Sequence, residues 1–193
     1  VVAVSIGSSA NQDVLRHALA MGVDRALLVE HETEVQSLEV AKFLQAVADK
    51  EQPDLILLGK QAVDDDAGQA GQMLAALLDY PQGTFASELN IENGEAIVTR
   101  EIDGGTETVA LQLPAVVTAD LRLNDPRFVK LPNLMQARKK PIENLSASEL
   151  VTDLTPRLSL INVAEPPQRK AGIKVDSVDA LLQQLRTKEG IAL

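Results

Sequence analysis

The chain has no cysteine and no tryptophan, and aromatic residues make up 2% of its 193 positions, with one tyrosine (Tyr80). The lack of cysteine excludes a disulfide, a thiolate nucleophile, an iron–sulfur cluster and a structural zinc site. The two histidines, His17 and His31, show no ligand-like spacing and read as surface residues. So few aromatic rings leave little for base stacking, which argues against single-stranded nucleic acid as a partner. Positive charge is in deficit as well. Eighteen Lys and Arg against 28 Asp and Glu give a net charge of −10, which repels phosphate backbones and anionic membranes alike. No apolar run reaches the ~18 residues of a membrane-spanning helix, and no signal peptide is visible.

A hydrophobic content of 45% with 24% charged residues is ordinary for a soluble fold. The length suits one domain, or a domain with arms, burying roughly 70% of its unfolded surface. The chain opens on VVAVSIG, which reads as a buried strand with nothing before it. The expectation is a chain whose start, including an earlier strand, is missing. Strand and helix then alternate: strands at 1–7 and 26–30, a helix over 11–21 with Gly22 as its C-cap, and a helix over 35–51. In the latter Leu38, Ala41, Leu44, Val47 and Ala48 share one face, with Lys42, Gln45 and Asp49 opposite. Apolar strands alternating with helices predict parallel pairing with helices on both faces.

After Pro81 the pattern changes. Strands at 85–91, 96–101 and 106–113 are joined by Glu92-Asn93-Gly94 and Asp103-Gly104-Gly105, hairpin signals that predict an antiparallel section. Pro114 introduces an apolar strand at 115–119 that can rejoin the parallel sheet. In the last third, prolines at 126, 132, 141, 156, 166 and 167 punctuate short segments, and only 177–188 reads as a solid helix. Such an arm either lies on a partner subunit or folds back on its own domain.

The most informative stretch is LLGKQAVDDDAGQAGQMLAALL, residues 57–78. An apolar strand breaks at Gly59 into a polar loop that runs directly into a small-residue helix. In an open parallel sheet a ligand sits beyond the carboxyl end of a strand, against a helix N-terminus. Gly68, Ala70 and Gly71 leave the main chain bare, so that successive N–H groups can close around a phosphate. Asp64, Asp65 and Asp66 argue against a densely charged ligand such as ATP and favour a mono-anion held by main chain. No P-loop is present, because GxxxxGK followed by Ser or Thr does not occur. On the residues alone, a ligand site and a plain acidic turn both stand. The segment 130–140 couples an apolar turn to a basic tail; a docking anchor and a buried helix start both stand there. Glu101, at a strand end, reads as a solvated charge.

GKQAVDDDAGQAGQM closely resembles the nucleotide loop of the small (beta) subunit of electron transfer flavoprotein. The likeness continues through PQGTFAS, VTREIDGGTETVALQLPAVVTADLRLNDPR, KLPNLMQARKK and PPQRKAGIKV, nearly the whole chain. The resemblance implies a doubly wound, mostly parallel α/β sheet of the adenine nucleotide alpha hydrolase-like kind, with an antiparallel hairpin section and an extended C-terminal arm. It divides the chain into a nucleotide-binding core at 1–125, a partner recognition loop at 126–145, and an arm at 146–193 packing on the partner subunit.

The resemblance also implies AMP in the loop, surrounded by Gly59, Lys60, Gln61, Asp64, Asp65, Asp66 and Ala67. The backbone of Gly68, Gln69 and Ala70 and the Gln69 side chain then meet the phosphate, and Ala62 and Val63 lie against the adenine. Ile6 walls the same pocket. AMP has no accessible redox chemistry, so its role is structural, stabilising only the folded form. The implied electron carrier is FAD, held mainly by the large (alpha) subunit. The small-subunit residues best placed near the flavin fall in the part expected ahead of Val1.

Glu101 matches a glutamate that pairs with an arginine of the mobile flavin domain, a rim contact contributing roughly 0–1 kcal/mol. Leu131 matches the leucine of a recognition loop, continued here by Pro132, Asn133, Leu134 and Met135, that plugs into a hydrophobic pocket on acyl-CoA dehydrogenases. Gln136 departs from a lysine that some members methylate, while Lys139 remains. Electrons are expected to pass to a membrane quinone reductase, in the cytoplasm of a bacterium or the mitochondrial matrix of a eukaryote. The chain itself is expected to make and break no bonds. Two further readings differ in class. One is a stand-alone adenine-nucleotide sensor of the universal stress type, which needs neither the arm nor the recognition loop. The other is a hydrolase of adenylated substrates, for which no nucleophile–base pair accompanies Asp64, Asp65 and Asp66.

Overall fold

Branched apolar runs and amphipathic repeats alternate through the first half of the computed structural model, which describes residues 1–169 and 171–188. Lys170 and residues 189–193, part of the expected arm, lie outside the described residues. The chain divides into two units, Val1–Leu158 and Ser159–Leu193.

The first unit begins β1 (Val2–Gly7), α1 (Gln12–Met21), β2 (Arg25–Glu30), α2 (Ser37–Glu51), β3 (Leu55–Gly59), α3 (Ala70–Leu78). Gly22 ends α1 at φ 116°, a conformation that favours glycine. The α2 start is fixed by the Gln36 N–H donating to Glu39 Oε2 at 2.7 Å. Phe43 lies outside the expected apolar stripe of α2 yet is fully buried, because this helix is covered on two sides. Phe43 and Val47 pack with Leu27 and Val29 of β2. Ala41 and Leu44 meet Leu74 and Ala75 of α3.

The remaining strands are β4 (Gln82–Glu92), β5 (Glu95–Ile102), β6 (Gly105–Gln112), β7 (Ala115–Ala119) and β8 (Glu143–Ser146). One sheet has the order β1-β2-β8, all parallel; the other has the order β3-β7-β4-β5-β6. The strands of the first eighty residues do pair in parallel as expected, but among the described residues the expected doubly wound sheet is divided into two sheets. Among the described residues β1 pairs only with β2, and β3 only with β7. Each is an edge strand, so β1 is half-buried along its length instead of buried, and Leu57 in β3 is 55% exposed. The class remains α/β with mostly parallel pairing in the first half.

As its apolar sequence predicts, β7 rejoins the parallel strands, flanked by β3 and β4. Strand β4 is longer than expected and serves two neighbours. Gln82 and Gly83 run parallel to β7, while residues beyond Ala86 run antiparallel to β5, and the register breaks on both sides of Ala86. Phe85 sits in the break at φ 57°. The β5–β6 ribbon lies back over β7, packing Ala96, Val98 and Leu111 with Ala115 and Val117. Asn93 and Gly94 both take positive φ in the turn between β4 and β5, as a two-residue hairpin requires.

Helix α4 (Leu131–Ala137) packs on α1 through Leu134 and Ala137, and α5 (Ala147–Leu150) follows β8. In the second unit α6 (Val178–Lys188) starts with Ala180 N–H donating to Ser177 Oγ at 3.1 Å. No helix among the described residues is long and apolar enough to cross a membrane.

Candidate functional site

The loop that leaves β3 is tied at its entry by main chain and side chain together. Lys60 N–H donates to Ala119 O at 3.1 Å, and Lys60 Nζ donates to Asp120 Oδ2 at 2.7 Å. The Asp120 side chain is only 8% exposed, and its Oδ1 accepts the Arg122 N–H at 3.1 Å. The Lys60 ammonium, then the Arg122 amide, hold the Asp120 carboxyl below the usual carboxylate range. Lys60 Nζ also stands 5.7 Å from the Phe85 ring centroid, within reach of a cation–π interaction. Phe85 is held in its left-handed conformation by its N–H donating to Thr118 Oγ1 at 3.1 Å. A bulky residue in that region is strained by about 1–3 kcal/mol.

From Gln61 onward the loop closes on itself. Gln61 Nε2 donates to Asp66 Oδ1, and Asp66 N–H to Ala62 O at 3.1 Å. Asp64 Oδ1 accepts the Asp65 N–H, and Asp65 Oδ1 the Ala67 N–H. The three carboxylates thus shape the turn as well as charging it. Among the described residues, no cluster of three His, Cys, Asp or Glu is arranged to hold a metal ion. Gly68, at φ 57°, brings the exit back to the entry: a β-carbon built there would lie 3.6 Å from Lys60 O. Ala70 opens α3 behind Gln69 with no side chain capping its N-terminus. The Gln72 Oε1 beside it is shielded from solvent without a hydrogen-bond partner among the described residues.

A cleft of about 410 Å³ joins this loop to the first sheet, lined by Ile6, Gly7, Asn11, Thr33, Glu34, Val35, Asp64 and Asp65. Ile6 and the first two acids, placed together by resemblance, do meet here. Residues 59–63 and 66–70 are not among the lining residues, and Val63 is fully exposed. Sequence reasoning missed Gly7, Asn11 and 33–35. Gly7, at φ 145°, is the one with a readable signal, a glycine ending a strand. A side chain there would collide with Asn11 Nδ2, 2.7 Å from the β-carbon position, and Asn11 Nδ2 donates to Ile6 O at 3.0 Å. His31 is half-buried rather than a surface residue, its ring 5.7 Å from Phe43 and its Nε2 2.8 Å from Thr33 Oγ1.

The other expected residues lie elsewhere. Leu131 and Met135, one helical turn apart on α4, are 70% and 51% exposed, and Pro132 and Asn133 are exposed beside them. Leu134 turns the other way, into the cluster of Leu15 and Leu19. Glu101 is not a solitary solvated charge: Arg122 Nη1 approaches its Oε2 at 2.8 Å.

Residues 1–150 match the family defined as Electron transfer flavoprotein domain. Among similar proteins, the electron transfer flavoprotein subunit beta of Bradyrhizobium diazoefficiens is 52% identical over 191 residues, covering 99% of this chain and 77% of the relative. The subunit beta of Homo sapiens is 53% identical over 190 residues, covering 96% and 74%. The mitochondrial subunit beta of Oryza sativa subsp. indica is 50% identical over 192 residues, covering 97% and 76%. The chain belongs to the electron transfer flavoprotein beta-subunit family, whose members serve in electron transfer as parts of a flavoprotein.

Proposed function

We propose that the chain is the small subunit of a two-subunit electron carrier, holding AMP as a structural ligand and offering a docking surface to dehydrogenases. One observation carries the nucleotide reading. The cleft at the carboxyl ends of parallel strands β1 and β2 faces the Asp64-Asp65 turn of the loop after β3, where α/β folds of the adenine nucleotide alpha hydrolase-like kind take ligands. Its volume falls within the usual range for small-molecule sites, about 300–1,000 Å³. The uncapped start of α3 and the bare main chain at Gly68 suit a phosphate. Backbone amides of residues 68–70 and the Gln69 side chain meet the phosphate in this reading. Ala62 and Val63 flank the adenine, Ile6 walls it, and the acids of 64–66 serve the ribose.

FAD, held mainly by an alpha subunit, supplies the one- and two-electron chemistry. This chain's residues orient partners and make or break no bonds. Glu101 offers a carboxylate to a cation of the partner's flavin domain. Leu131, with Met135, seats in an apolar pocket on acyl-CoA dehydrogenases and related enzymes, and a quinone reductase receives the electrons. The exposure of both side chains and the basic residues Arg138, Lys139 and Lys140 beside them support that assignment. The setting is a bacterial cytoplasm or a mitochondrial matrix, in keeping with relatives from a bacterium and from rice mitochondria.

Co-expression with a candidate alpha subunit tests this. The expected product is a yellow heterodimer that releases FAD and stoichiometric AMP on denaturation. A colourless homodimer, or a yellow complex free of AMP, overturns the corresponding part.

A further inference from the structure

We infer that Asp120 is a positioning residue for the nucleotide loop, acting through Lys60, so that the Lys60 ammonium tethers the loop entry instead of binding phosphate. The inference rests on the nucleotide reading and deepens it. Three observations converge. First, both Asp120 oxygens are engaged, Oδ2 by Lys60 Nζ at 2.7 Å and Oδ1 by the Arg122 N–H, so the carboxylate is aimed before any ligand arrives. Second, the ammonium faces the Phe85 ring on β4, 5.7 Å from its centroid, so that ring and carboxylate together occupy it. Third, the loop exit is held by the same strand: Gly71 of α3 lies against the Thr118 methyl, and Thr118 Oγ1 accepts the Phe85 N–H.

The last residue of β7 and its two neighbours, Thr118 and Asp120, therefore anchor both ends of one loop. Between those anchors Lys60 O and Gly68 face each other, so freeing the entry also frees the amides at the exit. A shielded ion pair that loses one partner leaves the other charge uncompensated and the contact broken. A ligand that needs the closed loop then binds in proportion to the time the loop stays closed.

The test uses the heterodimer stripped of nucleotide, with Lys60→Met, Asp120→Ala, the double variant, and Asp120→Asn as a milder change that keeps an acceptor for Lys60. AMP and adenosine affinities are measured by calorimetry, and hydrogen exchange is followed at amides 61–70. If the freed loop is closed about a tenth of the time, Lys60→Met and Asp120→Ala each weaken AMP about tenfold. Adenosine weakens by the same factor, the double variant is no worse than the worse single, and exchange at 61–70 accelerates. Loss of AMP affinity with adenosine unchanged in Lys60→Met overturns the inference, because the ammonium then touches phosphate. Wild-type affinity and exchange in Asp120→Ala overturn it too. Should the wild-type complex bind no adenine nucleotide, the nucleotide reading fails and exchange still decides the tether: faster exchange in Lys60→Met and Asp120→Ala supports it, unchanged exchange in both overturns it.

Discussion

The Thr118 methyl occupies the space that a side chain on Gly71 would need, only 2.3 Å from a β-carbon built there. Helix α3 therefore approaches β7 as closely as main chain allows, and the close approach positions the helix start at the loop exit. Gly71→Ala should push the two elements apart and destabilise the fold by about 1–3 kcal/mol, the usual cost of overpacking. Thermal denaturation reads the loss. Adding Thr118→Ser removes the methyl, keeps the hydroxyl that accepts the Phe85 N–H, and should recover most of it.

Gly68 has a different requirement. Its nearest neighbour leaves room for a β-carbon, but its φ of 57° does not suit one. Gly68→Ala should cost about 1–2 kcal/mol of local strain and weaken AMP retention, with a modest fall in melting temperature. Gly68→Asn, a residue that visits this region more readily, should lose less on both measures. Equal losses for Ala and Asn would assign the requirement to space instead.

On α4 the two faces should respond oppositely. Leu131→Ala and Met135→Ala remove exposed side chains and should leave stability within about 0.5 kcal/mol, while lowering the rate of electron transfer from an acyl-CoA dehydrogenase. Leu134→Ala should destabilise by about 1.5–3 kcal/mol, the worth of burying such a side chain. A stopped-flow assay paired with calorimetry separates the two effects.

Asp120, Glu143 and Asp153 have folded-state pKa values below their ordinary ones. Lys60 is the leading cause for Asp120, Lys50 and then Arg25 for Glu143, and Lys42 and then Thr155 for Asp153. A depressed folded pKa means that the contribution is present above the ordinary carboxylate value and is lost as pH falls through the folded value. Stability should therefore hold through neutral and mildly acid pH and decline below about pH 4. Asp120→Asn should flatten that decline in a series of melting curves between pH 3 and 7. A decline of unchanged steepness would remove Asp120 from the account.

Much of this architecture is written in local periodicity. The hairpins follow from Asn93-Gly94 and from the Asp103-Gly104-Gly105 stretch, whose turn residues are Asp103 and Gly104, and the return of β7 follows from an apolar run after Pro114, because turn chemistry and strand patterning act over a few residues. Which strands lie side by side does not follow. The period of VVAVSIG says that it is a strand, but not that β2 is the one strand paired with it among the described residues. Phe43 falls outside the apolar stripe of α2 because one stripe describes one covered face, and this helix has two.

The candidate site shows the same division. Gly68 and the acids of the turn are legible because glycine and aspartate have local backbone roles. The partner of Lys60 is not, since Asp120 stands sixty residues away on another strand end. Nor is Arg122 as the partner of Glu101, or the contribution of 33–35 to the cleft, because both arise only when separate elements meet.

The break at Phe85 has a practical consequence. Because the ribbon doubles back, its turns reach opposite poles of β7: Gly94 O accepts the Leu113 N–H just ahead of that strand, whereas Ile102 follows Glu101, whose carboxylate reaches Arg122 just beyond it. A fluorophore or short epitope inserted between Asn93 and Gly94 would sit at the pole of β7 away from the loop after β3 and the cleft beside it.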